Sequence, residues 1–479
     1  MLLLCYIGFL MYSNSLCLQR WDEARCALHA VAMSKNNNFI ITYYQNEPDM
    51  WYTKPPLLIW IQTLLFKLFT PSVLVFRLPT LAAAISLCFF IYWYFIKYRS
   101  NYFIGIIATV IFISCDGIAR IHGTRTGEYE TLLILFTTTY LFAYFHFLQT
   151  KNYKWLVLFF ALLIAATLTK GVQALLFLPA LFFYTIFTKN LKSILVNKIF
   201  YIGFLSFLFI VVGYYLLREQ YNPGFLKTVW NNELGGRFST VIENHKHPFT
   251  YYFGFMYNRL LGFWFAIFML SIPIIIGLAD VFYKKLCIYL LSCSLCYMLV
   301  ISSAQTKLGW YDIPIYPLIT VVIAIALFAI FDNQLKKTFS TTQKQILIIF
   351  GVIFFMIPIT IQLQKVYKLI KTQEYDLEMC TAFFLHNNLK KEKFILDNCF
   401  VQGDLDCSYS GQIEFYQELY KNQHQNLHLF FWNLDTIVAP CKLISRYDQT
   451  KYFAEQHFEY KIIKEVDQLK FYELYRRKD

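Results

Sequence analysis

The stretch YRSNYFIGIIATVIFISCDGIARIHGTRTGEYETLLILFTTTYLFAYFHFLQTKNYK, residues 98–154, begins and ends in short basic turns. Between them, two apolar runs, 102–115 and 128–148, flank a link crowded with ionisable groups from Asp116 to Glu130. Apolar runs approaching the ~20 residues needed to cross a bilayer, with charge confined to their ends, are the signature of membrane helices. The pattern repeats in both directions. Further apolar runs fall near 1–18, 75–96, 155–169, 172–187, 199–217, 260–279, 286–303, 313–331 and 345–362, which makes eleven candidate spans. Run 1–18 lacks a basic n-region and a small-x-small cleavage site, so it reads as an uncleaved first span, and its shortness fits a start further upstream.

Composition agrees. Of 479 residues, 57% are hydrophobic, 20% are Phe, Tyr or Trp and only 15% are charged, against about 25% charged in soluble domains. The net charge of +13 has no basic helix or RNA-reading motif behind it, so nucleic acid is not an expected partner. Its lysines and arginines flank spans instead. Loops 97–101, 149–154, 188–198, 280–285 and 332–344 together hold twelve Lys/Arg against two Asp, which marks their side as cytoplasmic. That assignment requires Pro55–Phe69, a 15-residue apolar stretch opening on Pro-Pro, to lie in the interface rather than cross.

The opposite face then receives segments 19–54, 116–127 and 218–259 and everything after about 363. The division is a transmembrane domain over 1–362 and an extracytoplasmic domain over 363–479. In the latter, KFILDNCFV, NLHLFFWNL and YKIIKEVDQLKFYELY alternate β-like runs with polar turns, predicting a small α/β domain. Among its cysteines, Cys380, Cys399, Cys407 and Cys441, a disulfide is compatible with such a location. Cys293 and Cys296 have C-x-x-C spacing but sit inside an apolar run, where cysteine packs as a small apolar residue.

Chemistry concentrates on that same face. Asp22 and Glu23 are adjacent carboxylates where the first span ends. They fit a general base, a metal ligand or a helix-start pair that complements the dipole. Lys54, before Pro55-Pro56, fits a snorkelling lysine or a phosphate site. Arg125, Glu128 and Glu130 lie in the ionisable link. Lys170, in Thr169-Lys170-Gly171, interrupts an apolar run as a turn or an inward-facing cation. Arg237 lies in the long loop, with Glu233, His245 and His247. Lys307 and Tyr311, four apart, would share a face in a helical turn and form a phosphate clamp, or else anchor at the interface.

The order Trp21-Asp22-Glu23-Ala24-Arg25, Thr53-Lys54-Pro55-Pro56-Leu57, Arg77-Leu78-Pro79, Arg125-Thr126-Gly127-Glu128-Tyr129-Glu130, Thr169-Lys170-Gly171 and Lys307…Tyr311…Pro314 resembles the GT-C membrane glycosyltransferases. Within them it resembles the protein O-mannosyltransferase and lipid A aminoarabinose transferase superfamily, and its bacterial dolichyl-phosphate-mannose-protein mannosyltransferase-like branch. The resemblance spans roughly 15–330. It implies a polytopic α-helical GT-C fold of about 11 membrane helices with interfacial helices, residing in the inner (plasma) membrane.

The activity it implies is inverting transfer of a sugar from a polyprenyl-phosphate donor to an extracytoplasmic hydroxyl of lipid A, protein or surface glycan. Asp22 takes the place of the family's catalytic acid, with Glu23 beside it, and Glu128 or Glu130 that of its second acidic site. Lys54 and Tyr311 match its phosphate-binding positions; Arg237, Lys307 and Arg125 are added from chemistry and location. No cofactor is required. Thr53 stands where aminoarabinose transferases carry a glutamate linked to metal, which argues against a bound metal; a divalent metal is the alternative. Competing functions are a flippase or transporter of the lipid-linked sugar and a surface-polysaccharide ligase or polymerase.

Overall fold

The structure, a computed structural model, describes residues 15–335, 340–405 and 409–478; most of the candidate span 1–18 lies outside them. Each of the ten other apolar runs is helical. Among the described residues, seven helices are long and apolar enough to cross a membrane: Val73–Arg99, Tyr129–Thr150, Tyr153–Leu175, Lys198–Tyr221, Val281–Ser303, Ile313–Asp332 and Ile348–Thr372. A further pair of apolar helices, Tyr251–Arg259 and Phe263–Ile276, is bent by 108°. The bend falls where Leu261 (φ 59°) and Gly262 (φ 66°) take left-handed conformations, which break a right-handed helix. Tyr102–Ser114 and Leu178–Phe187 occupy the two remaining expected positions as shorter apolar helices. The chain is a multi-pass membrane protein.

The turns at the basic end follow one recipe. Ser100 and Lys151 adopt positive φ and close the helices before them. Asn101 and Asn152 follow, and their side chains accept from Ile104 N at 3.2 Å and Lys154 N at 3.0 Å. A left-handed C-cap followed at once by an Asn N-cap reverses the chain in two residues. Burial then sorts the spans: 83% of the apolar window of Tyr129–Thr150 and of Ile313–Asp332 is inside the protein, against 11% for Lys198–Tyr221 and 17% for Ile348–Thr372. The first two form the bundle centre, and the last two turn most of their surface outward as lipid-facing helices do.

At the other end of the bundle, Asp22–Asn36 forms a helix beside Leu57–Leu68. The latter is twelve residues long and does not qualify as a span. Its Gln62 donates to Phe76 O and Gly127 O, and its Lys67 reaches Asn37. It therefore stays at the loop end, as an interfacial helix would.

The helix Thr341–Thr372 runs past the expected division at 362/363 and delivers the chain to the C-terminal domain. There a five-stranded sheet has the order Leu427–Phe430, Cys399–Gln402, Cys441–Ser445, Leu469–Arg477, Phe458–Val466. The first three strands are parallel and the last two antiparallel. Helices Cys380–Lys391, Gly411–Lys421 and Asp448–His457 accompany it, giving the α/β domain expected. Cys380, Cys399 and Cys441 are free; Cys407 lies outside the described residues. Cys293 and Cys296 are also free, in the Val281–Ser303 span. One hydrophobic core joins the sheet domain to the first loop, through Leu18, Ala27, Phe66 and Phe76 on one side and Phe415, Tyr416 and Leu385 on the other. The domain is thus packed onto the helices that carry the candidate site.

Candidate functional site

A cavity of about 900 Å³ opens at the loop end of the bundle. Of the residues singled out in the sequence, Asp22, Lys54, Glu128, Glu130, Arg237 and Tyr311 all line it. They come from segments scattered over nearly three hundred positions.

Asp22 is the first residue of its helix and is exposed toward the cavity. It makes no hydrogen bond or ion pair among the described residues. Glu23, one residue on, is fully buried. Arg77 holds it with two bonds, Nε to Oε1 at 2.6 Å and a guanidinium NH2 to Oε2 at 2.8 Å. Backbone N–H groups of Gln19 and Gly127 fill its remaining acceptor positions at 2.9 and 2.8 Å. Arg77 also donates to Leu16 O and Cys17 O. Successive helical residues point about 100° apart, which is why neighbours in sequence part company here. Gly127 has its own requirement: a Cβ there would lie 2.3 Å from the Phe76 ring.

The second acidic site divides as well. Glu128 contacts His122, whose ring stacks on Trp310 at 3.7 Å. Burial pushes the Glu128 carboxyl up to about 7, with the His122 charge acting against it. Burial alone would lower the His122 imidazole, but the charge and hydrogen bond of Glu128 outweigh it and raise it. Glu130 pairs with Lys170, and the Lys170 ammonium also lies 5.6 Å from the centre of the Tyr311 ring. Gly171, at φ 57°, ends that helix just beyond Lys170.

Asp22, His122 and Glu128 present ligand atoms all within 4.8 Å of one another. One imidazole and two carboxylates form a donor set able to hold a divalent cation. Thr53 adds nothing to it: its hydroxyl donates to Glu233 at 2.6 Å.

The cationic side of the cavity is built by the long loop. Lys54 pairs with Glu233. Burial lowers the Lys54 ammonium, Glu233 opposing; burial would raise the Glu233 carboxyl, but Lys54 prevails and it is lowered. Arg237 donates through Nε to Asn232 O at 2.7 Å, while its NH1 has no hydrogen-bond partner among the described residues. A π-helical turn, Trp230–Leu234, carries Glu233 between Lys54 and this arginine. Burial raises the Tyr311 phenol, which keeps it a neutral donor.

Three expected site residues do not reach the cavity. Glu23 is consumed by Arg77, as above. Arg125 lies behind the wall, beside Arg77 and Glu23, where burial lowers it to about 10. Lys307 sits in an extended segment rather than a helical turn. Its backbone N donates to His245 O at 3.0 Å and its ammonium turns back to Ala304 O, so the four-residue spacing to Tyr311 makes no clamp.

Sequence reading named Lys170 and Glu233 and the ionisable link that holds His122, but the pairings of these groups left no signal in it. The C-terminal domain supplies Asp376, Glu378 and Tyr409 to the cavity. Tyr409 stacks on Trp21 at 4.5 Å and donates to Trp21 O at 3.1 Å, and Arg20 bridges to Glu378 at 2.9 Å.

The fold is a helix bundle with a charged cavity at one end, against which a small α/β domain packs. Residues 53–215 match the family model described as dolichyl-phosphate-mannose-protein mannosyltransferase. The fold is similar to that of ArnT from Cupriavidus metallidurans bound to undecaprenyl phosphate, at 14% identity and TM-score 0.64, over 98% of this chain and 96% of that one. The apo state of the same ArnT gives 12% and 0.63 over the same shares. The apo oligosaccharyltransferase of Archaeoglobus fulgidus gives 11% and 0.51, over 89% of this chain and 64% of that one. No curated protein matches by sequence. The GT-C resemblance read from the motifs thus holds for the fold over almost the whole chain.

Proposed function

We propose that the protein transfers a sugar, with inversion, from a polyprenyl-phosphate donor to a hydroxyl of an acceptor, which is lipid A, a protein or a surface glycan. The observation that carries this is the open, unpartnered Asp22 carboxylate in the same cavity as Lys54, Arg237 and Tyr311. The acceptor oxygen attacks the anomeric carbon from the face opposite the phosphate. Its proton passes to Asp22 as the new C–O bond forms. The bond from the anomeric carbon to the phosphate oxygen breaks, and its electron pair leaves on the polyprenyl phosphate.

Lys54, Arg237 and Tyr311 place two cations and a neutral donor where that charge develops. Lys54 must first exchange Glu233 for the phosphate. Lys170 fixes Glu130, which orients the acceptor beside Asp22. A divalent cation held by Asp22, His122 and Glu128 would supply Lewis-acid activation of the acceptor hydroxyl. ArnT in its solved complex holds undecaprenyl phosphate, and a complex of the Archaeoglobus fulgidus oligosaccharyltransferase AglB holds dolichol-phosphate with an inhibitory peptide, which supports a carrier of this class. The cavity end faces away from the cytoplasm in this reading, because the basic turns lie at the other end.

The test is reconstitution with a radiolabelled polyprenyl-phosphate hexose and cell-envelope extract. Expected are a product heavier than its acceptor by one sugar and free polyprenyl phosphate, both lost in Asp22→Asn. Movement of intact donor across the vesicle without product would instead make the protein a flippase, and a product carrying a whole glycan chain would make it a ligase or polymerase.

A further inference from the structure

A second hollow, of about 510 Å³, lies in the C-terminal domain and shares no lining residue with the central cavity. Its rim carries Lys390, Lys391, Lys393 and Lys464, and Phe383, Phe384 and Phe394 give it an apolar floor. Glu374 is the one acid among its lining residues, and Lys464 takes it at 3.0 Å. Lys391 and Lys393 are exposed and make no hydrogen bond or ion pair among the described residues. Lys390 is held below its ordinary value by partial burial and then by the Lys391 charge.

Position separates this cluster from an ordinary solvated charged face. Ile370, which also lines the hollow, is in the last turn of the Ile348–Thr372 span. The hollow therefore lies beside the end of that helix at which the chain passes into the sheet domain. Tyr367 and Tyr375 stand exposed around the exit, and Ile395, next to Phe394, is 69% exposed. Exposed tyrosines and an exposed isoleucine at a span exit suit the headgroup layer, where amphipathic rings settle. Ammonium groups above an apolar floor at that depth match a lipid phosphate with acyl chains beneath it.

We propose that this hollow binds the headgroup of an anionic membrane phospholipid, with Lys391 and Lys393 on its phosphate and the acyl chains descending past Ile370. Such a lipid would fix the height of the sheet domain over the membrane, and with it the roof that Asp376, Glu378 and Tyr409 place on the central cavity. This rests on the membrane assignment alone and not on sugar transfer.

The experiment is native mass spectrometry of the full chain released from nanodiscs of equal phosphatidylglycerol and phosphatidylcholine. Wild type is expected to retain phosphatidylglycerol in preference. With about 1 kcal/mol per basic residue near an anionic surface, Lys391→Ala/Lys393→Ala should lose about thirtyfold of that preference at low salt. Lys391→Arg/Lys393→Arg should keep it, and all three proteins should unfold at the same temperature. Equal retention of the two lipids by wild type, or an unchanged preference in the alanine variant, overturns the proposal. So does displacement of phosphatidylglycerol by a phosphorylated glycolipid at equal concentration, which would make the hollow an acceptor site.

Discussion

The cavity wall at Asp22 and the buried junction at Glu23 are one residue apart and behave as different materials. Asp22 faces open volume with no hydrogen-bond or ion-pair partner among the described residues. Glu23 is sealed, and two guanidinium bonds and two backbone N–H groups converge on it. A carboxylate free to accept a proton belongs to chemistry. One saturated by four donors ties the first loop to the Val73–Arg99 span and to the Gly127 link, and holds the cavity wall in shape. Acidic character alone assigns neither role; the count of fixed donors around each does.

The sharpest way to break this contrast is Asp22→Asn. Loss of a general base costs about 10²–10⁴-fold in turnover, so kcat should fall by that factor with thermal unfolding unchanged. A fall in melting temperature instead of activity would erase the distinction. Glu23→Gln should do the converse. It leaves the buried Arg77 charge uncompensated, a loss of about 3–5 kcal/mol, visible as a lower unfolding temperature, while the surviving folded protein keeps most of its kcat.

Lys54→Met tests the cationic side. A charge-assisted hydrogen bond contributes about 1.5–3 kcal/mol, so KM for the polyprenyl-phosphate donor should rise roughly ten- to a hundredfold with acceptor KM unaltered. Lys307→Ala should change least, within about threefold in both constants, because its ammonium caps Ala304 O and not the cavity. The change removes one hydrogen bond to a backbone carbonyl outside the cavity lining, so its effect falls on stability, by about 0.5–1.5 kcal/mol. A large effect at Lys307 would restore the expected clamp with Tyr311.

Much of this molecule was legible in its sequence. The alternation of apolar runs with basic turns gave the spans, because a bilayer admits only long apolar helices there. Asp22, Lys54, Glu128, Glu130, Arg237 and Tyr311, which line one cavity, stood out as candidates because charge is costly inside a bilayer and gathers at span ends. Arg125 and Lys307 were legible as charges but misplaced, since the first turns behind the wall and the second sits in an extended strand-like segment that no local pattern marks. The bent helix pair at Leu261-Gly262 went unread for a similar reason: its break depends on two left-handed residues.

By itself, the sequence determined that the chain lives in a membrane, which ends of its helices carry charge, and that a small α/β domain follows. Those properties depend on local composition and on contact with lipid and water. The tertiary structure alone decided that Glu23 belongs to Arg77 and Lys54 to Glu233, a partner 179 positions away, and that Tyr409 and Glu378 complete the cavity from the far end of the chain. Pairing between distant side chains depends on how the helices pack and on which donors are already occupied, and neither leaves a trace in local pattern.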